Sequence, residues 1–434
     1  MKPKFIFIFF IFNAGLCFAQ TGHHEFTVSE AQQFALQNNA NVQNAKLDVV
    51  AAKKKVWETT AIGLPHVNAS YNYQHIPGDL PTFMFPAQDG SMQEVALGVK
   101  NSATYDITVT QLIFSGEYIV GLQASRTYKM LSQTNLVKSE KDIKESIAQS
   151  YYTILVLERN SKLIDSSLLN LEKLYSETLA MAKSGFLEET SADQILVTLN
   201  TLKNSSDVVK KQVELSYKFF KILMGLNLED TVILKEKLDD ILNIEAGKEL
   251  LVQTFNLTNN VDYQLLETQE KLMDLSVKRE MSTFLPTVSA FYMYQDKTNK
   301  ADFDFTINNI VGVGVNIPIF ASGQKLSKVS QAKIELEKTR NTKNQISESL
   351  RMSFDQARFD LEATLNKYET QKLNVDLSFK IYNNTLIKYK QGMASSMDVS
   401  QAHSQYIESN SNYTTTVLEL LNAKLALQNL LNQL

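Results

Sequence analysis

Cysteine, proline and glycine are all scarce in this chain. Its 434 residues contain one cysteine, seven prolines and fifteen glycines. The cysteine is Cys17, so the chain beyond residue 19 has none, which excludes a disulfide framework and a thiolate metal site there. With so few helix breakers, long uninterrupted helices are expected, and a globular domain of many short elements is not. Long apolar runs are missing too. After residue 19 no unbroken run approaches the roughly 20 residues of a membrane-spanning helix. Such a chain enters a membrane only as strands, whose alternating apolar residues escape a windowed hydropathy plot. Strong charge is also absent. The formal net charge is −4, or −6 without Lys2 and Lys4, which argues against nucleic acid as a partner.

The first nineteen residues set the compartment. Lys2 and Lys4 precede the apolar run Phe5–Phe12, and small residues follow at Cys17 and Ala19 before Gln20. This is the layout of a secretory signal peptide, residues 1–19, leaving a mature chain of residues 20–434. The run is too short for a membrane anchor. Leu16 stands directly before Cys17 and Ala14 three before it, the reverse of a lipoprotein signal, so cleavage after Ala19 is favoured.

The rest of the chain is written twice. Leu64–Gln74 recurs as Leu285–Gln295 at an offset of 221, with seven of eleven positions identical. The same offset carries Leu36–Asn39 onto Leu257–Asn260. Beyond, the offset is 207: Gly116, Gly185 and Asn227 meet Gly323, Gly392 and Leu434. Repeat one is about 25–227 and repeat two about 246–434. The 14-residue difference falls between His75 and about Ala103, where Pro77, Gly78, Pro81, Pro86 and Gly90 read as loop.

Each copy reads helix, strand, strand, helix, helix. The first helix is expected from Ser29, with a capping box to Gln32, through to about Trp57 and ending before Pro65. The period then becomes two. Val67, Ala69, Tyr71 and Tyr73 alternate with polar neighbours, as do Tyr105, Ile107 and Val109; Val288–Tyr294 and Val311–Ile317 repeat the pattern. Strands are expected at about 64–75, 103–114, 285–296 and 305–319, each near the length that a tilted strand needs to cross a bilayer. Four strands cannot close a barrel, whereas three chains supply twelve with no free edge. Helical hairpins are expected at about 116–227 and 323–434. The first helix, Gly116–Lys183, has no proline and would be on the order of 100 Å long. Ile143, Ile147, Tyr151 and Ile154, then Leu168, Leu171 and Leu174, follow coiled-coil spacing. Gly185 and Gly392 mark the hairpin tips, each after a basic last turn.

No catalytic, cofactor-binding or metal site is expected, and the chain does not read as an enzyme. The five histidines, His23, His24, His66, His75 and His403, form no HExxH pair. His23-His24 reads as a disordered start rather than a metal site. Gly312-Val313-Gly314 lacks the third glycine of a nucleotide loop and lies in an alternating strand. The twelve methionines are scattered, with no copper-type cluster.

The doubled Leu-Pro-x-Val strand starts at Leu64–Val67 and Leu285–Val288 resemble those of the TolC family of outer-membrane efflux proteins. So do the strand exits at Phe114–Gly116 and Phe320–Gly323 and the opening Phe26–Ala31 with Ala35–Asn39. The resemblance covers residues 25–434. It implies a homotrimer: a twelve-stranded outer-membrane β-barrel, four strands per protomer, continued by a long α-helical barrel across the periplasm. It also implies a passive exit duct of a tripartite efflux or type I secretion system, set in outer-membrane lipid. A periplasmic adaptor (membrane fusion protein) and an inner-membrane pump would be its partners. Tyr389, Gly392, Asp398 and Ala402 match the family's entrance motif, while Ala394 and Gln401 stand where the best-known pattern has Arg and Asp. In repeat one Thr190 matches, and Ser191 replaces an expected Asp. The gate candidates are therefore Asp398, Tyr389, Gln401, Thr190 and Ser191. Asp398 reads equally as a member of a three-fold acidic ring, whose like charges would raise each other's pKa, or as a solvated helix-start residue. Two other classes compete: a periplasmic adaptor, with one hairpin flanked by compact β-domains, and a secreted coiled-coil structural protein, which leaves the alternating segments unexplained.

Overall fold

A computed structural model describes residues 22–86, 89–301 and 304–433. The signal-peptide reading of residues 1–19 lies outside the described residues. In chain order the elements are β1 (His23–Phe26), α1 (Val28–Asn38), α2 (Ala40–Ala61), β2 (His66–His75), β3 (Thr82–Pro86), β4 (Met92–Ala96) and β5 (Asn101–Phe114). Then come α3 (Gly116–Lys183), α4 (Glu189–Met224), β6 (Thr231–Leu234), α5 (Leu238–Ile241), α6 (Ile244–Leu251) and α7 (Val261–Ser282). The chain closes with β7 (Thr287–Lys297), β8 (Asn309–Asn316), α8 (Gln324–Lys390) and α9 (Ser396–Leu430). No helix among the described residues is long and apolar enough to cross a membrane.

The chain divides into two compact units. One takes Asn41–Lys141, Thr254–Gln356 and Gln428–Leu434 and contains the sheet. Its four antiparallel strands run in the order β2-β5-β7-β8, so the central pair joins one strand from each repeat. The register makes a two-faced surface. Val67, Val109, Tyr292 and Val311 lie in one row across all four strands, and Ala69, Ile107 and Tyr294 form the next. The opposite face carries Asn68, Thr108 and Met293, then Ser70, Asp106 and Gln295. Period-two alternation thus sorts apolar from mostly polar side chains across the sheet. The outer edges of β2 and β8 are unpaired among the described residues. Gly312 has a packing reason: a Cβ there would lie 2.6 Å from the ring of Phe291, its cross-strand partner. Below the sheet, Glu270 of α7 binds Arg340 at 3.0 Å and Lys343 at 2.6 Å on α8, and Lys138 of α3 pairs with Asp262.

The other unit takes the chain up to Ala40, Asp142–Gln253 and Ala357–Leu427. Ile164, Leu171 and Leu174 of α3 pack with Ile195, Leu199 and Leu202 of α4, Tyr382 and Tyr389 of α8, and Val399 and Ala402 of α9. These positions recur at steps of three, four or seven residues, so each helix buries one stripe. Further along, β1 and β6 pair in parallel, His23 opposite Thr231 and Phe26 opposite Leu234. The fully buried Tyr151 of α3 anchors that clasp, donating its hydroxyl hydrogen to the Phe26 carbonyl at 3.0 Å and accepting from the Glu236 amide at 3.3 Å. Burial raises its pKa.

Five sequence expectations need correction. The first helix is two: α1 ends at Asn39, whose backbone turns extended (φ −65°, ψ 131°) while its side-chain amide donates to the Leu223 carbonyl at 2.8 Å. Its capping box is Thr27 with Glu30, not Ser29 with Gln32. His23-His24 is not a loose start but part of β1. The segment expected as loop between His75 and Ala103 holds the hairpin β3–β4. The last strand covers Asn309–Asn316 rather than 305–319: Asp304 accepts from the Thr306 amide in a local turn, and Pro318 has no N–H for a ladder.

Candidate functional site at the hairpin tips

The candidate gate residues all lie in the helical unit. Both tips turn the same way. Lys183 ends α3, and Gly185 adopts φ +76°; its amide donates to the Ala182 carbonyl at 3.0 Å and that of Phe186 to the Met181 carbonyl at 2.9 Å. Lys390 ends α8, and Gly392 adopts φ +74°, with Gly392 N–H to Tyr389 O at 2.9 Å and Met393 N–H to Lys388 O at 2.8 Å. This paired closure needs a left-handed residue, which glycine supplies without a Cβ clash.

The two outgoing helices start differently. At α9 the Asp398 carboxylate accepts from the Ser395 amide at 2.8 Å and the Ser395 hydroxyl at 2.7 Å, while the Asp398 amide donates back to that hydroxyl at 3.1 Å. The Ser395 backbone bond, then its side-chain bond, hold the exposed Asp398 carboxyl below its ordinary pKa. Asp398 is thus an anion at the first turn of α9, where the helix dipole also favours one. At α4 the first residue outside, Glu188, makes no such cap, and the Thr190 hydroxyl donates to its carboxylate at 3.2 Å. Ser191, the counterpart of Asp398 at the 207 offset, is half-buried, and Gln401 is exposed on α9.

Tyr389 is buried and its hydroxyl meets that of Thr178 on α3 at 2.9 Å. Two further links cross between the repeats. Ser396 donates to Gln194 at 2.6 Å, and Lys390 faces Glu177 at 3.5 Å. Within one chain the structure therefore joins Tyr389 to Thr178, not to Thr190, and brings Asp398 to Ser395. Thr178 and Gln194 were not singled out from the sequence. Their signal is positional: Thr178 follows Leu171 and Leu174 on the buried stripe of α3.

His403 was noted in the sequence only for lacking a motif. It is 2% exposed, one turn past Val399 on the buried stripe of α9, and its Nε2 has no hydrogen-bond partner among the described residues. Its ring lies edge-on to Tyr382, centroids 5.2 Å apart, and Tyr382 stacks on Tyr406 at 6.0 Å. Burial pushes its pKa down to about 4. Beside it an open groove of about 410 Å³ runs between α4 and α9, lined by Val197, Thr201, Ser205, Ser404 and Glu408.

Two long helical hairpins, a four-stranded sheet and a doubled order of elements define the fold. Residues 256–433, in the second repeat, match the family profile described as outer membrane efflux protein. The chain shares its fold with the CmeC outer membrane channel of Campylobacter jejuni: TM-score 0.74, 15% identity, covering 94% of this chain and 85% of that one. The outer membrane protein VceC of Vibrio cholerae matches at TM-score 0.74 and 14% identity, over 93% of this chain and 95% of that one. The open-state MtrE outer membrane channel of Neisseria gonorrhoeae matches at TM-score 0.74 and 14% identity, over 93% and 88%. No curated protein matches the chain by sequence.

Proposed function

We propose that three copies of this chain form the outer-membrane exit duct of a tripartite efflux or type I secretion assembly. The observation that carries this reading is the open sheet. Among the described residues it has two unpaired edges, an apolar face with Val67, Val311 and Val313 about two-thirds or more exposed, and a mostly polar opposite face. Such a sheet is not stable alone in water. Pairing the edge of β2 with that of β8 in the next copy gives a twelve-stranded barrel, apolar toward lipid and polar toward its lumen. The helices fit the same assembly. Leu47 and Trp57 of α2, Met352 of α8 and Leu169 of α3 are exposed, as faces awaiting neighbouring copies would be.

The helical hairpins then extend into the periplasm, where an adaptor meets them and an inner-membrane pump supplies the energy. The duct itself is passive. The tips form its entrance, with Asp398 as the ionised group of repeat two and Tyr389, Gln401, Thr190 and Ser191 around it. The adaptor alternative lacks support, because the chain carries two hairpins and one open sheet rather than one hairpin between compact β-domains. The test is direct. Detergent-extracted protein should have the mass of a trimer by light scattering and conduct ions in a planar bilayer. A monomer soluble without detergent would overturn the reading.

A further inference from the structure

The four strands of the sheet carry few charges. Apart from His66 and His75 at the ends of β2, they hold only Asp106, Asp296 and Lys297. Asp296 and Lys297 end β7, and both have charged partners. Asp296 pairs with Lys300 at 2.8 Å and accepts from the Tyr105 hydroxyl at 3.0 Å, and Lys297 faces Asp304 at 3.5 Å. Asp106 differs in place and in company. It lies inside β5, with Ser70 of β2 opposite on one flank and Gln295 of β7 on the other. The Ser70 hydroxyl donates to its carboxylate, and the Asn72 side-chain amide donates to that hydroxyl at 3.2 Å. The partner of Asp106 is thus a hydroxyl and not a cation. Its neighbours along the same face, Asn68, Asn72, Thr104 and Thr108, are all neutral. A carboxylate without a cation costs several kcal/mol to take out of water. The face that carries Asp106 therefore has to stay wet, whereas the face of Val67 and Val311 does not.

We propose that Asp106 is a selectivity-determining residue of the duct, favouring cations over anions within the barrel. This rests on the trimeric reading above. With the polar face turned to the lumen, three-fold symmetry sets three Asp106 carboxylates at one height on the wall. Successive ones stand four strands apart, which at about 4.8 Å per strand is roughly 20 Å along the wall. That is about twice the Debye length at 0.1 M salt and shorter than the one at 0.01 M. The three fields therefore act singly at high salt and merge across the lumen at low salt. The low-dielectric wall around them focuses the field on whatever passes. Anionic cargo meets a barrier there that neutral and cationic cargo does not. Asp106 is a different element from Asp398, which caps a helix of the other unit; it stands on a strand of the sheet.

The experiment uses the full-length trimer in a planar bilayer under a potassium chloride gradient. Asp106→Asn can still accept from Ser70 but has lost the charge. It should lower the cation-to-anion permeability ratio about twofold or more at about 0.01 M salt, and by less at about 1 M, with trimer mass unchanged. A second variant, D106C, carries the only cysteine after residue 19. A sulfonate-bearing thiol reagent should restore its ratio, and an ammonium-bearing one should lower it further, a rescue that a merely structural role would not give. An unchanged reversal potential in D106N at low salt would overturn the proposal. So would a D106C thiol that neither reagent reaches in a conducting trimer. A wild-type protein that forms no conducting trimer would overturn the duct itself, so the two failures are told apart.

Discussion

Acidification should loosen the hairpin tips through one residue. His403 is 98% removed from solvent, its Nε2 is unpartnered among the described residues, and burial lowers its pKa from 6.5 to about 4. Glu408 lines the neighbouring groove, and Tyr382 and Tyr406 are the polar-tipped rings nearby. The sign follows from linkage. The folded state holds the imidazole neutral, so the unfolded tip binds more protons between pH 6.5 and about 4. Stability is therefore full above the unfolded pKa and falls as pH drops through that window. At about pH 5 the loss is about 2 kcal/mol per protomer, a roughly 30-fold rise in local opening. The assay is amide hydrogen exchange across α8 and α9 at neutral pH and about pH 5, corrected for the intrinsic rates. The variant H403F keeps an aromatic ring against Tyr382 and removes the titration, so its tip protection should stay constant. Wild-type protection that changes no more than that of H403F would refute the reasoning.

Three further outcomes follow from the tips and their closures. Replacing Tyr389 with Phe strands the buried Thr178 hydroxyl and should cost about 1–2 kcal/mol in denaturant unfolding, much of it recovered when Thr178→Val is added; additive costs would show that the two hydroxyls are not coupled. Asp398→Ala should weaken block of the duct by multivalent cations and lose about 1 kcal/mol of capping, while Asp398→Asn should weaken the block with most of the cap retained; unchanged block in both would remove Asp398 from the entrance. Gly392→Ala should cost about 1 kcal/mol for its left-handed backbone, since its Cβ enters open space. Gly225→Ala should cost clearly more, because its Cβ would lie 2.5 Å from the Asn38 carbonyl oxygen; equal melting shifts for the two would contradict that contact.

What was legible in the sequence is what repeats or alternates. Val67, Ala69, Tyr71 and Tyr73 announce a strand because their period is set by the pleat, and Gly185 and Gly392 announce turns because only glycine takes their backbone cheaply. The clasp of β1 with β6 was not legible. Strands of four residues are too short to show a period, and their partners are some two hundred positions apart. The break at Asn39 was missed for a related reason: asparagine there serves the Leu223 carbonyl, a long-range contact, while α1 and α2 read locally as one helix. At the tips the sequence supplied the glycines, Tyr389 and Asp398. It did not supply Thr178, since a lone threonine on an apolar stripe shows its partner only once two helices are laid side by side. Nor did it show β3–β4, where Pro81, Pro86 and Gly90 look like plain loop until Phe83 and Val95 are seen to face each other.

In the proposed trimer the duplication would set the symmetry of the hairpin tips. At the 207 offset Asp398 stands where repeat one has Ser191, and the Ser395 box stands where Glu188 caps nothing. A ring of three chains therefore presents six tips of two alternating kinds: three anchored through a charged capping box and three without one. Its symmetry is three-fold, never six-fold. In the proposed trimer, three tips would then be held more firmly at their helix starts than the three between them.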